Sequence, residues 1–106
     1  MTTEDAEKAL DFLKDSDEQD AKLKARLEYL KEKKKNIIAF AQTESDKGSQ
    51  AAKEQDAFMS MGYVEWLDEY KSAVYDHLLV NNRRKSASLQ IEVWRSINAN
   101  SRQGNI

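Results

Sequence analysis

Apolar positions recur along most of this chain at alternating spacings of three and four, the rhythm of a helix that keeps one face turned toward a neighbour. The longest such run joins Tyr63, Trp66, Tyr70, Ala73, His77, Val80, Arg84, Ala87, Ile91 and Trp94. It predicts a last helix over residues 63–100, about 38 residues and roughly 57 Å long, capped by Ser60. Leu67, Val74 and Leu78 widen its stripe in the first half. Around Asn81 to Ser88 the stripe turns polar, and Leu89, Ile91, Val93, Trp94 and Ile97 then restore it. A second run, Leu23, Leu27, Leu30, Lys34, Ile37 and Ala41, has the same heptad spacing and predicts a pairing helix. Lys34 can pack its stem in that seam while its ammonium reaches outward.

Capping residues place the boundaries. Thr3 is expected to cap a first helix over residues 4–14, whose Ala6, Ala9, Leu10 and Leu13 share a face and whose early acids suit a positive helix start. Ser16 and Gln19 have capping-box spacing and predict the start of the second helix. Ser45–Ser49 should end it, with Gly48 left-handed and Ser49 capping a short helix over residues 50–59. Ser60, Met61 and Gly62 form a second predicted break.

The chain has 106 residues, no proline and three glycines, which removes the usual punctuation of β-rich folds. Its 34% charged and 40% hydrophobic content suits packed helices with exposed outer faces rather than a thick core. The expected architecture is all-α, a single domain over residues 1–106. It is a long helical hairpin with shorter helices docked along it, assembled as a dimeric helical bundle or coiled-coil-like pair. Self-association follows from the distal patch of Leu89, Ile91, Trp94 and Ile97, which the other predicted helices are too short to cover, so these four are the expected oligomer interface.

Charge is polarised along the chain. Residues 1–20 hold eight acids against two lysines, a balance of −6, whereas residues 80–106 hold five cations against Glu92, a balance of +4. The two segments can pack together, or the basic one can remain free for phosphates or an acidic partner. Arg83, Arg84, Lys85, Arg95 and Arg102 are the candidate contacts to a partner or to nucleic acid. Lys31–Lys35 is read as a solvated helix face, because Glu28 and Glu32 sit three residues before Lys31 and Lys35.

Chemical signatures are weak. His77 is the single histidine and no cysteine occurs, so neither a thiolate site nor a disulfide framework can form and no metal or cofactor is expected. Asp15–Asp20 begins like a calcium loop, but Asp20 stands where that loop requires glycine and Arg26 where it requires glutamate. Asp76 and His77 point in different directions on a helix and cannot form a catalytic pair unaided. A non-enzymatic interaction protein is the expectation. The longest apolar run, Ile37–Ala41, is too short to span a membrane, and the acidic first segment is unlike a signal peptide, so a cytoplasmic protein is expected.

The stretch from Asn82 to Ile106, with Arg83-Arg84-Lys85 and Trp94-Arg95-Ser96-Ile97-Asn98, resembles the C-terminal end of small helical proteins of bacteriophages and prophages. Lys8-Ala9-Leu10-Asp11-Phe12-Leu13 followed by Asp17-Glu18 is similar to the beginnings of the same group. The resemblance covers about a third of the chain. It implies a protein of the bacterial host's cytoplasm, encoded near recombination and replication genes. The implied role is accessory to DNA metabolism, acting through a phage or host protein partner or through weak DNA contact. The alternative is an inhibitor of a host defence system or host nuclease, its acidic surface imitating DNA. No catalytic residue follows from the resemblance.

Overall fold

A computed structural model describes residues 2–104, and side chains as far as Arg102. Four helices occur among these residues: α1 (Thr3–Asp15), α2 (Asp17–Glu44), α3 (Gln50–Phe58) and α4 (Met61–Gly104). The structure is 91% helical and no strand occurs among the described residues, so the fold is all-α. No described helix is long and apolar enough to cross a membrane. The chain packs as two compact units, one formed by residues up to Ala21 with those from His77 onward, the other by Lys22–Asp76.

In the second unit α2 and the first part of α4 run antiparallel, because residues further along α2 meet residues progressively earlier in α4. Arg26 pairs with Asp76, Lys33 with Glu69, and Ile37 lies against Gly62. Leu30, Trp66 and Ala73 form the buried centre, with Leu27, Ile37, Tyr63, Leu67 and Tyr70 packed around it. Trp66 anchors this layer, since burying its ring removes a large apolar area from water and its indole N–H donates to the Leu30 carbonyl at 2.7 Å. Its ring stacks on Tyr70, and the Lys34 ammonium lies 5.4 Å from the ring centroid, so the seam lysine is held by a cation–π contact. Lys31 and Lys35 pair with Glu28 and Glu32 on the exposed side, as the charge spacing predicts.

In the first unit α1 lies antiparallel to the later part of α4. Ala6, Ala9, Val80 and Ala87 are buried there. The three-four stripe of α4 is its inner face: every member from Tyr63 to Trp94 is buried or half-buried.

Several boundaries differ from the expected ones. The N-cap of α1 is Thr2, not Thr3, because only Thr2 has an acid three residues on. The Thr2 hydroxyl accepts from the Asp5 amide and the Asp5 carboxylate from the Thr2 amide. That reciprocal pair holds the Asp5 carboxyl below its ordinary range, chiefly through the Thr2 backbone N–H. Ser16 does not cap α2. Its backbone is helical (φ −91°, ψ −2°) and its amide still bonds to the Phe12 carbonyl, so it lacks the extended geometry that aims a capping hydroxyl at the next turn. Gly48 is not left-handed, since no described glycine has positive φ. Gly62 does not break the chain and lies in the first turn of α4. Ser49 and Ser60 do cap, accepting from the amides of Ala52 and Tyr63.

Candidate interaction surface

Arg84 occupies the inner stripe of α4, facing the end of α1. The last carbonyls of a helix lack amide partners, and a cation there also meets the negative end of the helix dipole. Arg84 Nη1 fills this role, donating to the Leu13 carbonyl at 2.8 Å and to the Ser16 hydroxyl at 2.8 Å. Its second amino nitrogen lies 3.4 Å from Asp17, and Nε lies 3.9 Å from the buried Asp20 carboxylate. Asp20 Oδ1 in turn lies 3.9 Å from His77 Nε2. One guanidinium therefore ties the α1 end to the α2 start while lying beside Asp20, the acid that α2 buries. The acidic and basic segments do pack together at this point within one chain.

The five candidate cations do not converge. Arg84 is taken up internally, with only 21% of its side chain exposed. Arg83 is exposed beside Lys8 and Phe12 on one flank of the α1–α4 pair, and Lys85 borders Leu13 and Leu89 on the other. Arg95 borders Leu10 and Trp94, and Arg102 is exposed in the last turn of α4. At about 100° per residue, Arg83 and Lys85 lie on opposite sides of α4. A single phosphate-binding face therefore does not form from all five.

The distal apolar residues separate in the same way. Ile91 and Trp94 are half-buried against Thr3, Ala6 and Leu10, so α1 supplies the cover that the sequence alone left missing. Leu89, Val93 and Ile97 follow at spacings of four and stay 59%, 41% and 46% exposed. Leu89 lies about 200° round the helix from buried Ala87, and the drift of a four-residue spacing brings Val93 and Ile97 round to the flank of α4 beside the face that meets α1. The sequence places Val93 in the distal apolar stripe, but Val93 is not among the four residues expected at the oligomer interface.

A shallow cavity of about 210 Å³ opens between α1 and α4, floored by Ala6, Leu10, Ile91 and Trp94 and flanked by Glu7 and Arg95. In the other unit a groove of about 750 Å³ runs past Ile37, Phe40, Ala41 and Met59. Sequence reasoning placed neither, because each needs two helices side by side. No group of three or more metal-binding side chains occurs among the described residues. Asn105 and Ile106, the end of the stretch that begins at Asn82, lie outside them. No family model, no curated protein and no solved structure matches the chain significantly.

Proposed function

We propose that this chain is a non-enzymatic helical interaction protein that docks a protein partner on the outward face of α4. The observation that carries this reading is the exposed stripe of Leu89, Val93 and Ile97, one residue per helical turn and backed by a face already used for the chain's own packing. Such a stripe matches the way an amphipathic helix seats anchors in an apolar groove. Lys85, which borders Leu89, favours a groove with an acidic rim. The resemblance of Asn82–Ile106 and Lys8–Leu13 to phage proteins supports placing that partner in DNA recombination or replication, in the cytoplasm of a bacterial host.

Val93→Glu sets a charge in the middle of the stripe without touching the buried face. Affinity capture from phage-infected cells should recover a recombination or replication protein with the wild-type chain and lose it with this variant, at unchanged helicity. Capture indifferent to Val93→Glu would refute the docking face. Direct DNA binding is tested by retardation of labelled single- and double-stranded DNA. A shift at near-physiological salt, with the logarithmic salt slope falling by about 0.7–0.9 for each exposed cation removed, would put DNA ahead of the protein partner.

One observation favours a second reading. α1 exposes Glu4, Glu7, Asp11 and Asp15 along 13 residues, an acidic helix that could occupy a host nuclease in place of DNA. Inhibition of a purified nuclease that is lost in Asp11→Lys and retained in Val93→Glu would select it.

A further inference from the structure

From the shallow groove between α1 and α4 we infer that a second copy of this chain docks there, groove to groove, about a twofold axis parallel to the helices. The groove floor is apolar and incompletely covered: Leu10 remains 45% exposed, and Ile91 and Trp94 are only half-buried. Its two walls differ in sign. The α1 wall carries Glu7 and the α4 wall Arg95, both exposed and both lining the same cavity. This surface differs from the outward stripe of Leu89, Val93 and Ile97 and does not depend on what docks there.

Charge selects the symmetry. A twofold axis parallel to the helices lays α1 of one copy over α4 of the other and preserves height, so Glu7 meets Arg95 of the second copy twice per dimer. An axis across the helices would instead lay acidic α1 on acidic α1 and basic α4 on basic α4, which like-charge repulsion disfavours. The parallel axis yields four helices in which every contact between copies joins an acidic helix to a basic one. It also closes the Leu10, Ile91 and Trp94 floor from water, and as an isologous contact it stops at two copies.

The test is a charge exchange across the axis. Sedimentation of the wild-type chain through the micromolar range should show a dimer, and Glu7→Arg and Arg95→Glu should each weaken it by about tenfold or more while remaining helical by circular dichroism. Mixed in equal amounts, the two variants should form a heterodimer, since one of its two Glu–Arg contacts is then the native one and the other is restored in reversed sense. A wild-type monomer, or single variants that dimerise normally, would overturn the inference. So would variants that recover only when both changes share one chain, because Glu7 and Arg95 would then be acting within a chain.

Discussion

Arg84→Ala removes the guanidinium that joins the end of α1 to the start of α2, and its cost can be worked from the contacts. Two donations at 2.8 Å, to the Leu13 carbonyl and the Ser16 hydroxyl, disappear together. Hydrogen bonds to a charged group contribute about 1.5–3 kcal/mol each. The Asp17 contact adds little, because that carboxylate is 80% exposed and water screens it. Asp20 matters more, for its side chain is only 10% exposed and would lose the nearby cation. Removing one member of such a buried pair costs about 3–5 kcal/mol. These contributions overlap, since the same guanidinium supplies both, and the expected total is about 3–5 kcal/mol rather than their sum. At roughly 4 °C or more per kcal/mol in a chain of this size, thermal unfolding followed by circular dichroism should fall on the order of 12 °C or more. Arg84→Lys keeps the charge but not the planar fork and should lose about half as much. A change below about 1 kcal/mol for Arg84→Ala, the range of an exposed ion pair, would refute the reading of Arg84 as a structural clamp.

Trp66→Ala should cost about 3–5 kcal/mol in denaturant unfolding, since it empties the centre around Leu30 and Ala73, and Trp66→Phe should cost less by keeping a ring. Gly62→Ala should stabilise by about 0.5–1 kcal/mol: Gly62 is helical, and a Cβ there meets Ile37 Cγ2 at 3.5 Å, an ordinary contact. Ala87→Leu should destabilise by about 1–3 kcal/mol, because Ala87 is buried on the inner face of α4 and a larger side chain there must displace its neighbours. Asp5 has a folded pKa below its ordinary 3.8, so its support of α1 is complete above that value and lost as pH falls through the lower folded value. In an NMR titration Thr2→Ala should raise the Asp5 carboxyl only in part, because the Thr2 backbone N–H, the larger cause of its lowering, survives the substitution.

The inner faces of α2 and α4 were legible in the sequence residue by residue. Leu23 to Ala41 and Tyr63 to Trp94 are the positions the structure withdraws from water. A helix has one period, and burying a stripe at that period needs no knowledge of the neighbour. Ser49 and Ser60 were legible for a similar reason, since a cap acts within three residues of itself. Thr3 and Ser16 were misplaced where two candidate caps compete or where a third helix takes the hydroxyl. The role of Arg84 lay beyond the sequence: its partners Leu13 and Ser16 are about seventy positions away, and either helix could have faced them. Tertiary packing likewise decided that Ile91 and Trp94 turn toward α1 while Leu89, Val93 and Ile97 stay exposed. Sequence alone determined the helices and the faces they bury, because those follow from local periodicity. Only the tertiary structure decided which charges are spent on the fold and which remain for a partner, because that depends on which helix lies across from each one.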